Sequence, residues 1–458
     1  MSANTGILTY NNGYYQTSSV YYSPTATISS TGRPVGTFYC FLSRVQSWTT
    51  ETNPPAPTQD QKYLKQTFKN MFVAKKITTN DMSLIIERID WTSGEVYDYY
   101  NDSVDMYSLD NNGSILKHFY VKNKFDQVFK CLWNNKGGIS TYEPYFEPGT
   151  FNANQIFQGA DDYKWKYMYT ISSGSKLKFM DDAWMPVPAG NNIPTPTQTN
   201  EGYGSIDVIN VTNGGSGYDP ANSIITISIT GDGKFASANA VVNAGVITDI
   251  SVANTGMNYT YANATIISAS GSGAIAIAPT SPVGGHGFDP ASELGVRHIM
   301  LTAKFEKDES GNLPTNIDFR QLGILVNPYA YFGTSISLAN ASIYKVTTDF
   351  TVSTGFGGYT PDEIVFQSAT GLYADATFEA TVLSFDTIYN KVKLINTFGT
   401  PVNSTILYGK TTGTARAVLL QETPTFIPFS GYLTYLENRE PVQRNADGSE
   451  QFKLVLGF

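Results

Sequence analysis

The chain has 458 residues, 41% of them hydrophobic and only 15% charged, with 30 Tyr, 26 Phe and 40 Gly and a formal net charge of −9. This is too apolar and aromatic for disorder, and an acidic net charge without a basic cluster disfavours wrapping of nucleic acid. The length corresponds to about three domains of roughly 150 residues, and the abundance of Tyr, Thr, Ser, Asn and Gly predicts strands joined by tight turns.

The opening MSANTGILTYNNGYY lacks the basic segment and apolar core of a secretory signal. No run approaches the ~18 apolar residues of a membrane span, so a soluble chain without membrane insertion is expected. GTFYCFLSRV reads as a strand, and NPPAP after it as a loop. PTQDQKYLKQTFKNMFVAKKI then predicts a helix near 59–76. Thr58 caps it with Gln61 three residues on, Leu64, Phe68, Met71 and Phe72 follow helical spacing, and Lys75 and Lys76 suit its negative end.

MSLIIERIDW, HFYVKN, QVFKCLW and YKWKYMYTIS are further strands. In the last, Tyr163, Trp165, Tyr167, Tyr169 and Ile171 are expected on one face. NNIPTPTQT is a loop. A pseudo-repeat of about forty residues follows, with Val211, Gly215 and Tyr218 matching Val252, Gly256 and Tyr259. Each copy carries a glycine pair, Gly231 and Gly233, then Gly271 and Gly273. A second repeat pairs Ile364 with Ile406 and Gly371 with Gly413. Between the repeats, RHIMLTAKF and IDFRQLGILVNP are longer, more apolar strands. NADGSE then turns the chain into a last strand in which Phe452, Leu454, Leu456 and Phe458 alternate with other residues.

The expected fold is mainly β: a β-sandwich-like core with one or a few helices, interrupted by two small β-repeat inserts. The core comprises 1–204, 283–346 and 422–458, and the inserts 205–282 and 347–421.

No catalytic constellation assembles from spacing. His118, His286 and His298 lie outside any HExxH pattern and read as satisfied structural or surface histidines. Cys40 and Cys131 sit in strands and read as buried thiols rather than nucleophiles, although a disulfide between them is open. GKT at Gly409–Thr411 lacks the earlier P-loop glycine, since Ser404 stands there, and reads as a turn. SLDNNGSI begins like a calcium loop but has Phe119 at the twelfth position, so a hairpin turn is expected. Asp161–Asp162 and Asp181–Asp182 are neighbours in sequence, unlike glycosidase carboxylates facing each other across a cleft, and read as turn caps. No metal, cofactor or small-molecule ligand is expected.

The order of segments resembles the baseplate wedge protein of gene product eight type in T-even-like contractile-tailed bacteriophages. The blocks are FLSRVQSWTTETNPPAPT with Arg44 and Trp48, IERIDWTSGEVYDYY with Arg88, Asp90 and Trp91, VFKCLWNNKGGISTYEP, and GADDYKWKYMYTIS with Trp165. FRQLGILVNP follows with Arg320, Asn327 and Pro328. Last comes SGYLTYLENREPVQR…EQFKLVLGF, with Glu437, Asn438, Arg439, Pro441 and Phe458. The blocks fall within residues 1–200, 283–345 and 422–458, roughly two-thirds of the chain. The two repeat inserts have no counterpart in the shorter T-even form.

The resemblance implies a non-enzymatic structural subunit of the virion, assembled in the host cytoplasm. It would pack with other baseplate wedge proteins, tend to pair with itself as a homodimer, and take part in baseplate assembly and the conformational switch on infection. Glu437 and Arg439 are expected to form a charge-assisted bond fixing the ENREP corner between two strands. The competing reading is a host-glycan or receptor-binding tail protein, with the repeat modules contacting glycans.

Overall fold

A computed structural model describes residues 7–8, 36–58, 60–111, 113–147, 156–188 and 204–457. The chain is mainly β, and it divides into two compact units: Met1–Met82 with Leu301–Leu454, and Ser83–Met300 with Val455–Phe458.

The first unit is organised on a six-stranded antiparallel sheet. Its order is Ile7–Leu8, Tyr432–Arg444, Ile317–Val326, Phe38–Ser43, Met71–Ile77 and Ile343–Lys345. All ten residues of Ile317–Val326 are buried, and it pairs with Phe38–Ser43 on one side and Tyr432–Arg444 on the other. Tyr39, Phe41, Met71, Ala74, Leu325 and Leu436 form the core beneath it.

The expected helix is shorter than its periodicity indicates. It spans Gln61–Asn70, and the following residues form the strand Met71–Ile77. Met71, Phe72, Val73 and Ala74 are all buried, the mark of a strand covered on both faces. A continuous apolar run satisfies helical spacing by accident, and sheet pairing decides between the two. The cap is Asp60, not Thr58, because the Asp60 carboxylate accepts the Tyr63 N–H at 2.8 Å.

The ENREP segment is likewise not a corner between two strands. It lies inside the single strand Tyr432–Arg444, whose pairing passes from Gln321↔Asn438 to Phe319↔Val442. Arg439, Glu440 and Pro441 bulge opposite the single residue Arg320, and a proline without an N–H suits such an interruption. After a turn closed by Gly448 N–H on Asn445 O, the last strand spans Ser449–Gly457. Phe452 packs against the Phe305 and Phe319 rings; Phe458 lies outside the described residues.

The first unit also contains a closed six-stranded barrel. Its order is Thr348–Val352, Lys391–Gly399, Phe378–Asp386, Ile364–Gln367, Ile406–Gly409 and Ala415–Glu422, returning to the first. Phe350, Val365, Val382, Leu394, Leu407 and Val418 fill it. The repeat partners Ile364 and Ile406 begin adjacent paired strands.

In the second unit, Tyr120–Lys122, Gln127–Asn134, Tyr163–Thr170 and Ile156–Gln158 form a four-stranded antiparallel sheet. The five residues expected on one face of its third strand divide between two. Pairing shifts from Phe129↔Tyr167 to Val128↔Tyr169, leaving Met168 as an extra residue. Tyr163, Trp165 and Tyr167 therefore pack with Phe129 and Cys131, whereas Tyr169 and Ile171 join Val128 and Phe119.

The first repeat region consists of three two-stranded ribbons. Asn210–Ser216 pairs with Ser272–Ile277, Ile225–Gly231 with Ala262–Ser268, and Ser237–Asn243 with Val246–Asn254. Every ribbon takes one strand from each pseudo-repeat, so the copies exchange strands. Tyr218 of the first copy seats on Gly271 of the second, and Tyr259 of the second on Gly233 of the first. A Cβ on Gly233 would stand 2.3 Å from Tyr259 Cγ, which is buried ring rather than movable surface.

Gly233→Ala is expected to destabilise this module by about 1–3 kcal/mol. Gly174→Ala, in the helix Ser173–Phe179 with open space around it, should change stability by no more than ~1 kcal/mol and in the favourable direction. Urea unfolding of the two variants compares them directly.

Candidate functional site

The residues marked by sequence fall into polar clusters inside each unit. In the first unit, Arg44 follows Phe38–Ser43, and Asp318 and Arg320 lie on the neighbouring strand. Asp318 is shared: Arg44 Nη1 meets Oδ1 at 2.9 Å and Arg320 Nη1 meets Oδ2 at 2.5 Å. Arg44 also pairs with Asp362 at 2.7 Å. Arg320 forks onto Glu51 through Nη2 at 3.0 Å and Nε at 3.1 Å, the bidentate geometry guanidinium favours. Burial pulls the Arg320 pKa down, but Glu51 and Asp318 outweigh it and raise it.

Around this cluster the signature side chains tie loops to strands. Trp48 Nε1 donates to Arg439 O at 2.9 Å, and Asn438 Nδ2 to Pro55 O at 2.7 Å. Asn438 Oδ1 accepts from Tyr63 Oη and Gln321 Nε2, both at 2.8 Å. Asn327 takes a left-handed φ of 55°, open to Asn at low cost, and its Oδ1 accepts the Thr37 N–H. The Pro328 carbonyl accepts from Ala339 N–H. Arg439 Nε lies 2.8 Å from Glu437 Oε1, close enough to pair but not aligned as a hydrogen bond. With Arg439 40% exposed, that pair contributes under ~1 kcal/mol. Trp48 and Asn438 hold the segment instead.

In the second unit, Arg88 wraps Asp90 with Nε at 3.1 Å and Nη2 at 2.7 Å, and donates to Asp181 O. Lys122 joins the same carboxylate at 3.1 Å. Trp91 Nε1 donates to Ser140 Oγ, while Trp165 is fully buried and stacked on Tyr163.

Sequence spacing did not reveal the cluster on the other face of the four-stranded sheet. Lys130 and Lys166 stand directly opposite each other on paired strands, and both are buried with Lys164. Like charges so placed repel, and carboxylates answer them: Lys164 meets Asp249 at 2.7 Å and Lys130 meets Glu293 Oε2 at 3.1 Å. His286 Nδ1 lies 3.1 Å from Lys130 Nζ and 3.4 Å from Glu293 Oε2. The Tyr100 ring sits 4.0 Å from Nζ and meets His286 edge-on. Glu293 Oε1 accepts the Gly287 N–H at 2.7 Å and the Asp289 N–H at 3.4 Å.

Burial lowers the Lys130 pKa, and burial with Lys130 lowers that of His286. Burial raises Glu293, but Lys130 and His286 overcome it and bring it to about 2. The one legible sign was the alternation of Lys164 and Lys166 in a strand that otherwise reads as buried.

The remaining candidates are engaged structurally. Asp161 accepts the Thr141 and Tyr142 N–H groups, and Asp181 those of Ala183 and Trp184. The GKT turn directs the Thr411 and Thr412 N–H groups onto the Glu363 carboxylate, where a P-loop would hold phosphate. Asp110 accepts the Ser114 N–H within the SLDNNGSI hairpin. Cys40 and Cys131 are free and buried, and burial raises both thiols, Cys40 to about 12. No family model matches the chain, and no curated protein matches it.

Asp318→Ala removes the carboxylate between two buried guanidinium groups, leaving Arg44 with Asp362 and Arg320 with Glu51, and should cost about 1–3 kcal/mol. Glu51→Gln, at the exposed edge, should cost far less; denaturant unfolding ranks them.

On the barrel, Glu422 bonds to Lys345 and Lys391, which hold its pKa at about 2 against an ordinary 4.5. Because the folded state holds this proton less tightly, the stabilisation is complete above pH 4.5 and is lost as pH falls towards 2. Glu422→Gln should flatten the acid limb of a stability-against-pH curve over that interval.

Proposed function

We propose that this protein is a structural subunit of a contractile-tail baseplate, a wedge component that packs with other wedge proteins in the virion. In that role it takes part in baseplate assembly and in the rearrangement on infection, with subunits rotating about bistable interfaces. The observation that carries this reading is the convergence of its signature blocks. FLSRV, FRQLGILVNP and YLTYLENREP lie far apart in the chain, yet they form three adjacent strands of one sheet. Arg44, Trp48, Arg320, Asn327 and Asn438 bond around that sheet. These three blocks thus share one physical core, which supports reading them together, while the blocks carrying Arg88, Asp90, Trp91 and Trp165 belong to the second unit.

A packing role is further supported by the hairpin of Tyr329–Phe332 and Ser335–Leu338. It leaves Tyr329, Tyr331, Phe332 and Ile336 exposed, and such aromatic patches are used at protein interfaces.

Light scattering on the purified chain, alone and mixed with neighbouring wedge proteins, tests the proposal. A monomer or dimer that enters a larger defined complex is the expected result. A stable trimer indifferent to those proteins would replace it with a host-binding tail protein.

A further inference from the structure

We infer that Lys130 and Glu293 are set to condense into an intramolecular amide, a covalent cross-link between the four-stranded sheet and the segment leaving the first repeat module. Both side chains are almost completely removed from water, and their reacting groups touch at 3.1 Å. Such enforced contact replaces a bimolecular encounter with an intramolecular one. Ion pairs lose their solvation in a low-dielectric interior. The ionised carboxylate predominates beside Lys130 and His286, and passing one proton across the contact gives a minor population of amine and carboxylic acid, the reactive forms. Desolvation is also how proteins turn lysine into a nucleophile.

The surroundings supply the remaining parts of an acyl-transfer site. Glu293 Oε1 already faces the Gly287 and Asp289 N–H groups, placed to hold the negative charge that develops on that oxygen. Gly287 directs its amide there from a φ of 90°, a conformation L side chains rarely adopt. His286 Nδ1 touches both Nζ and Oε2. It can take a proton from the attacking nitrogen and return it to the departing oxygen. The Tyr100 ring closes the site beside Nζ.

The chemistry balances without a cofactor. One C–N bond forms between Lys130 Nζ and Glu293 Cδ, and the bond from Cδ to Oε2 breaks. Two of the three ammonium hydrogens leave with Oε2 as water, nothing is oxidised or reduced, and His286 ends unchanged. The product joins positions 163 residues apart, a loop closure of the kind that makes disulfides stabilising.

The test is the intact mass of the full chain, denatured after storage at neutral pH, followed by peptide mapping. The expected result is a mass short by one water, with the peptide containing Lys130 joined to the peptide containing Glu293. Lys130→Arg should restore the full mass. His286→Phe should slow water loss by about 100-fold or more. A full-mass wild-type chain with both peptides linear overturns the inference. So does a water loss that maps to a cyclic imide at Asp232-Gly233 or Asp447-Gly448. The wild-type measurement decides the matter even where a variant fails to fold.

Discussion

A buried carboxylate that gathers cations recurs at junctions between segments distant in the chain. Asp318 holds Arg44 and Arg320 in the main sheet, and Asp349 receives Lys345, Lys391 and Lys393 at the barrel, while Glu293 answers the single cation Lys130 beside His286. Asp90, at an exposed position, also pairs with Arg88 and Lys122. Each arrangement places cations in surroundings where an unpaired charge is costly, so the partner segment must arrive in one register. Hydrophobic burial is non-directional and would accept several packings of these aromatic strands. The shared carboxylates discriminate among those packings.

This division of labour shows in the main sheet. Apolar residues on Phe38–Ser43, Met71–Ile77 and Ile317–Val326 supply the burial. The Arg44–Asp318–Arg320 chain and the Tyr63–Gln321–Asn438 contacts set the registers at its polar end. Tyr39, which donates to Ala341 O, does comparable work on the opposite side.

Much of this was legible where local chemistry and final structure agree. The apolar runs around Phe41 and Leu325 read as strands, and Asn445 to Gly448 as a turn, because periodicity and turn residues are local signals. Met71 to Ala74 misled because four consecutive buried residues fit helix and strand spacing alike. The aromatic face of Tyr163 to Ile171 broke at Met168 because one bulged residue reverses every side chain beyond it. Among site residues, the types at Arg44, Arg320 and Asn438 were recognisable, but nothing in their spacing joins Arg44 to Asp318. Lys130 stayed hidden for the same reason: its partners Glu293 and His286 arrive from 163 and 156 residues away.

The strand exchange in the first repeat module has a consequence for how such a segment travels between proteins. Its two stems leave side by side, with Ser281 N–H bonded to Ser205 O and Ser205 N–H to Ser281 Oγ. To the surrounding chain, the whole module therefore presents the end-to-end spacing of an ordinary hairpin turn. Because each ribbon draws on both copies, half of it would leave three unpaired strands. Such a segment can be spliced into a surface turn of another protein with little distortion of the recipient, but only as an indivisible cassette.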